Sequence, residues 1–197
     1  MSWLTILRKR NAYRKTFHNF DINKVAAMTS NDVQQILDTT PSTSSNRNDI
    51  VIRHKGKIES IIHNARCIQQ MRQKRKQEGE DDDKDDNDNN NNNDVFDKFI
   101  WSFIDDKPII RKKRKNIATS NDKDNNRNNH ENSTSLESYA MSKALKEQWG
   151  FKFVGPTTCY SMMQSIGMVI DHPDNSQEWK LAYERLKNRP GGYQYKD

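Results

Sequence analysis

The sequence predicts an all-α fold, on three observations. Apolar residues recur at three- and four-residue spacing in separate blocks, no stretch alternates convincingly as a strand would, and helix-capping signals flank the blocks. Hydrophobic residues make up 32% of the 197 and charged residues 30%, so the chain supports a modest core interrupted by long polar tracts. The length suits one domain.

Taken in order, Trp3, Ile6, Leu7, Arg10, Tyr13, Phe17 and Phe20 keep helical spacing, and their apolar members predict one buried face. Lys24–Met28 and Asp32–Leu37 read as further short helices. Residues 39–49, "TTPSTSSNRND", are turn-rich loop. After "RHKGK", the residues Ile58, Ile61, Ile62, Ala65, Ile68 and Met71 form a second helical stripe. The basic turn Arg53–His54–Lys55 before it is either structural or a backbone contact. Residues 77–94 are acids and asparagines, a composition that buries too little apolar area to offset its ordering entropy, so disorder is predicted there. Val95, Phe96, Phe99, Ile100, Phe103 and Ile104 predict a short buried helix. A second disordered insertion is predicted over 111–135.

The pattern Thr134-x-x-Glu137 reads as a capping box for a helix over Tyr139–Trp149. Gly150 follows it at a position favouring a left-handed cap. Pro156 suits a first turn and opens a helix expected to reach about Ile170. Trp179, Ala182, Tyr183 and Leu186 mark a last amphipathic helix, giving a main domain over 1–172 and a C-terminal helix and tail over 173–197.

Net charge is +6, yet residues 78–94 hold nine acids and one lysine, and the remainder carries 32 bases against 18 acids, a net of +14. A body so basic attracts polyanions, nucleic acid first among them. The two cysteines, Cys67 and Cys159, have neither disulfide-framework nor zinc-ribbon spacing. No run approaches the ~18 apolar residues of a membrane span. "RKKRK", Arg111–Lys115, reads as a nuclear localisation signal or a non-specific DNA patch; mitochondrial and cytoplasmic placement are the alternatives.

The segment "GFKFVGPTTCYSMM" is flanked by helical patterns. Helix, tight hairpin with bracketing glycines, helix is how a helix-hairpin-helix unit reads in sequence. Its physical use is phosphate binding: glycines admit an anion close to backbone N–H groups, the next helix N-terminus adds more, and Lys152 adds charge. A glycine-capped helix pair packed in a core has the same spacing.

The blocks "SWLTILRKRNAYRKTFHNFD…KVAAM", "IRHKGKIESIIHNAR", "FIWSF" and "SKALKEQWGFKFVGPTTCYSMMQSIGMVIDH" resemble, in the same order, the DNA-3-methyladenine glycosylase I family of the helix-hairpin-helix glycosylase superfamily. They cover most of residues 2–172 outside the low-complexity tracts. The resemblance implies a monofunctional hydrolase that releases 3-methyladenine from alkylated double-stranded DNA as a step of base excision repair. It implies that Trp3 stacks on the base, that Ser161 lies near that pocket, and that Gly155 and Thr157 offer backbone N–H groups to a phosphate, supported by Lys152. Without the resemblance, Trp3 reads as core packing and Ser161 as a hydroxyl bonding its own helix. Asp171 stands about where many superfamily members place a catalytic aspartate; a helix-end or solvated carboxylate is the alternative. No lysine is placed for a Schiff base.

The chain departs from the family in two ways. The family begins about forty residues earlier, and that part carries the base-recognising acid, pocket aromatics and the duplex wedge. Two zinc ligands also come from it, joined by a histidine and a cysteine near the C-terminus. His172 matches the histidine, but Ser176 stands in the cysteine's place. No metal and no cofactor are therefore expected. The expectation is an N-terminally incomplete glycosylase, monomeric, marginally stable and without a membrane partner. The alternative is a catalytically inactive DNA-binding remnant.

Overall fold

The computed structural model describes residues 3–39, 47–78, 95–111, 133–173 and 176–187. The described residues are mostly helical, and the chain forms two compact units: residues 1–91 with 147–153, and residues 92–146 with 154–197. The tracts expected to be disordered lie largely outside the described residues. At their edges, Gln77 still belongs to a helix, and Arg111 and Ser135 make the hydrogen bonds given below.

The first unit begins with α1 (Trp3–Arg8) and α2 (Arg10–Thr16). The single amphipathic face expected here is not formed. The helix breaks at Lys9, and His18, Asn19 and Phe20 all take left-handed backbone, with φ of 49°, 56° and 61°. The chain turns there and Phe20 is exposed, while Phe17 is fully buried between its stacking neighbours Tyr13 and Phe20. Leu4, Ile6 and Leu7 are exposed as well. Next come α3 (Ile22–Ala26), capped by the Asp21 carboxylate accepting from Lys24 N–H, and α4 (Ser30–Asp38). Thr29 and Asp32 cap α4 reciprocally, satisfying two N–H groups that a helix start leaves without acceptors.

Helix α5 (Lys55–Gln77) is the long axis of this unit. Its stripe is buried as the spacing predicts: Ile58, Ile62, Ala65 and Met71 are each at most 7% exposed. Ala12, Phe17, Val25, Ala26, Val33 and Val51 complete the core against it. Arg66 ties α3 to α5, its guanidinium donating to the carbonyls of Ala26 (2.9 Å) and Met28 (2.7 Å).

The second unit holds α6 (Val95–Trp101), α7 (Leu136–Glu147, whose last residue counts with the first unit), α8 (Pro156–Ser165) and α9 (Gln177–Lys187). It also holds two strands the sequence does not announce. β1 (Ile109–Ile110) pairs in parallel with β2 (Val169–Ile170). Helix α8 therefore stops at Ser165 instead of reaching Ile170. Gly167, at φ 81°, turns the chain; its N–H bonds Gln164 O and the Met168 N–H bonds Met163 O. This is a Schellman stop, and Met163 and Met168, both fully buried, supply its apolar contact. Helix α7 starts at Leu136, before the expected Tyr139, although its capping box lies one residue on from the expected one. Ser135 N–H donates to Ser138 Oγ (2.8 Å) and Ser138 N–H to Ser135 Oγ (3.1 Å), so Ser135 and Ser138 replace the expected Thr134 and Glu137. Helix α9 packs on β2 and buries Leu186, so the segment after residue 172 belongs with this unit.

Candidate nucleic-acid interface

Each half of the hairpin segment is anchored within its own unit, with the division between Phe153 and Val154. In the first unit, Gly150 takes φ 71°, a left-handed backbone that glycine adopts without cost. Phe153 takes φ 58° without that freedom, and its ring is 54% exposed. Both residues are held by α5. His63 Nε2 lies 2.9 Å from Gly150 O; a carbonyl only accepts, so Nε2 carries the proton. Asn64 binds both polar backbone groups of Lys152: Nδ2 donates to Lys152 O (3.0 Å) and Oδ1 accepts from Lys152 N–H (2.9 Å). The His54 ring meets Phe153 edge-on at 6.4 Å, and its Nδ1 accepts from Lys57 N–H, capping α5. Arg53 donates to Thr39 O (3.3 Å). Two members of the basic turn thus make structural contacts. The Lys152 side chain is exposed.

In the second unit, Gly155 is the N-cap of α8 with ordinary φ of −66°. Among the described residues, its chain neighbours aside, no atom lies within 4 Å of where its Cβ would be, so what glycine provides there is open space. No side chain caps α8, and helix geometry leaves the N–H groups of Thr157 and Thr158 without intrahelical acceptors. Both threonines are exposed. Val154 O accepts from Ser142 Oγ at 2.6 Å, which fixes the entry to α8. Ser161 is half-buried on α8. Trp3 opens α1 in the first unit; its side chain is outside the described set.

Asp171 follows β2 and is half-buried. It accepts from Tyr160 Oη (2.8 Å), and Gln164 Nε2 donates to both its oxygens (2.9 and 2.8 Å). The Arg111 guanidinium lies 5.2 Å over the Tyr160 ring and donates to Thr134 O (3.4 Å). Burial first, then the Asp171 carboxylate, pushes the Tyr160 hydroxyl up to about 12. Burial pushes the Cys159 thiol up to about 11, which leaves it protonated and a poor nucleophile at neutral pH.

The residues present do not fit the zinc site implied by the resemblance. Ser176 Oγ accepts from Trp179 N–H (3.1 Å) and Ser176 O from Lys180 N–H (3.1 Å): this serine is the N-cap of α9. His172 is exposed. Among the described residues no three His, Cys, Asp or Glu side chains gather as a metal would need. Sequence reasoning missed His63 and Asn64 altogether. The only signal was two polar residues, one of them a weak helix former, inside the α5 stripe.

The family description "Methyladenine glycosylase" matches residues 1–79 and 87–178. The chain is 40% identical to DNA-3-methyladenine glycosylase 1 of Escherichia coli over 172 residues, covering 87% of this chain and 71% of that protein. Identity to DNA-3-methyladenine glycosylase of Haemophilus influenzae is 37%, with the same coverage. A crystal structure of 3-methyladenine DNA glycosylase I superposes with TM-score 0.64 at 36% identity, over 90% of this chain and 75% of that one. The Staphylococcus aureus enzyme superposes at 0.63 with 26% identity, over 90% and 73%. The order of the helices, the sequence blocks and these superpositions lead to one conclusion: the chain belongs to the methyladenine glycosylase family.

Proposed function

We propose that this chain is a DNA-3-methyladenine glycosylase, hydrolysing the N-glycosidic bond of 3-methyladenine in alkylated duplex DNA to free base and an abasic site. The observation that carries the reading is the family match over both halves of the chain, with relatives of that name at 40% and 37% identity. The chemistry is undemanding in one respect. A base methylated at N3 is cationic and leaves as a neutral molecule, so recognition and positioning count for more than acid catalysis. The target base must leave the stack, at a cost of a few kcal/mol that is smaller for a damaged base.

In this reading Lys152 of the first unit contacts the duplex backbone through its ammonium, and in the second unit the bare N–H groups at the start of α8, including that of Thr157, with the open space at Gly155, offer a phosphate contact of their own. Such contacts position the enzyme without reading sequence. Trp3, in the first unit, takes the stacking role, since an aromatic face suits a cationic base, and Ser161, in the second unit, takes the role near the base that the resemblance implies. Asp171 is a strut rather than a base; what supports this is that Tyr160 and Gln164 already occupy both its oxygens. No step passes through a metal. The cluster Arg111–Lys115 directs the protein to the nucleus.

The test is chromatographic detection of 3-methyladenine released from methylated duplex DNA. It is run on this chain and on a fusion supplying a family-like N-terminal segment. Release by either supports the reading. Release by neither, while the duplex is still bound with steep salt dependence, favours the DNA-binding remnant.

A further inference from the structure

The hairpin loop of the first unit is not self-sustaining. It has left-handed residues at both ends, Gly150 at φ 71° and Phe153 at φ 58°, and the second is an exposed aromatic with no glycine freedom. A residue held in that region is strained and persists only where its surroundings fix it. Between those two residues, Asn64 supplies the side-chain bonds to the loop backbone. The Asn64 amide presents a donor and an acceptor side by side, as a neighbouring strand would, and clamps the carbonyl and the N–H of Lys152. The partners also fix which way the amide points, since only its NH₂ can serve the carbonyl and only its oxygen the N–H. His63 adds the bond to Gly150 O one residue earlier on the same helix.

We infer that Asn64 is a positioning residue for the phosphate contact. It clamps the Lys152 backbone so that the exposed ammonium is presented to DNA before DNA arrives. The inference rests on the DNA-binding reading above and adds to it a residue that touches no DNA itself. Its physical basis is preorganisation: a lysine on a free loop would have to order on binding, and the clamp removes that cost beforehand.

The test uses the full chain and a fluorescein-labelled duplex carrying a tetrahydrofuran abasic analogue, titrated over a salt series. Lys152→Ala is expected to weaken binding about fivefold and to lower the salt slope by about one ion. Asn64→Ala, with Lys152 intact, is expected to reproduce both effects. The double variant should be no weaker than roughly the worse single one, because the two residues act as a unit. Asn64→Asp, which keeps the acceptor for Lys152 N–H and loses the donor, should fall between. Amide exchange at Lys152, measured without DNA, should speed about tenfold in Asn64→Ala.

A merely structural asparagine would lower the melting temperature without changing the salt slope or the coupling to Lys152. Additive losses, or an Asn64→Ala affinity within about twofold of wild type, overturn the inference while leaving the functional reading intact. Failure of the wild-type chain to bind the duplex at all overturns the functional reading and the inference with it, even if the exchange result stands.

Discussion

Replacing Asp171 with asparagine separates a strut from a catalyst. The wild-type carboxylate accepts one bond from Tyr160 Oη and a pair from Gln164 Nε2. Tyr160 is 1% exposed, so its hydroxyl has little recourse to water. In Asp171→Asn the retained oxygen still accepts from Tyr160 and from Gln164, but the new NH₂ in the place of the other oxygen faces the NH₂ of Gln164, and that one bond is lost. Bonds to a charged acceptor are worth about 1.5–3 kcal/mol when buried. Gln164 is exposed, so its share lies at the bottom of that range. Together with the lost charge on the Tyr160 bond, the variant should lose about 1–2 kcal/mol. For a chain of this length that lowers the melting temperature by roughly 2–8 °C. The assay pairs calorimetric melting with single-turnover base release, well below both melting points, in whichever form of the protein releases base. Base release per folded molecule should stay within about threefold of wild type. A general base contributes on the order of 10²–10⁴-fold. A hundredfold loss of rate with an unchanged melt would refute the strut and restore Asp171 as the catalytic carboxylate.

Other outcomes follow from the same packing. Tyr160 titrates near 12 in the folded chain against an ordinary 10, so its contribution is intact below pH 10 and is lost as pH climbs toward 12. The linkage is about 3 kcal/mol, and Tyr160→Phe should flatten the alkaline limb of the stability curve; parallel limbs in urea melts would contradict this. Ser176→Ala removes the N-cap of α9 and should cost about 1 kcal/mol, whereas a chelator should leave the wild-type melting temperature unchanged. A chelator-induced drop would show that a metal is held after all. Ser135→Ala should destabilise α7 by about 1 kcal/mol, and Thr134→Ala by less than that through capping; chemical denaturation of the two variants distinguishes which serine or threonine caps the helix.

What was legible in the sequence had a period. Ile58, Ile62, Ala65 and Met71 repeat over enough turns of α5 for the stripe to stand out, and they are buried where the spacing puts them. β1 and β2 have two residues each, too few for any alternation, and exist because Gly167 ends α8 and turns the chain alongside Ile109. The α7 cap was displaced by one residue because Thr134-x-x-Glu137 and Ser135-x-x-Ser138 overlap, and only hydrogen-bond geometry separates them. The break after Phe17 was hidden for another reason. His18, Asn19 and Phe20 adopt left-handed backbone without a glycine to announce it. For the candidate site, the glycines, Lys152 and Pro156 could be read locally. Asn64 could not, because its partner is 88 residues away and a polar side chain within a helix carries no label of what it binds.

Helix α5 has a consequence for how such a gene can vary. Its 23 residues form a rod roughly 34 Å long, and Asn64 grips the loop in the half nearer His54. The Asp- and Asn-rich tract is spliced on at the opposite tip, after Gln77, with about 20 Å of helix in between. Residues added to or removed from that junction change the chain's length where the rod has already ended. Such changes leave the register of every turn that carries the grip untouched, so the length of the tract and the hold of α5 on the loop are set independently of one another.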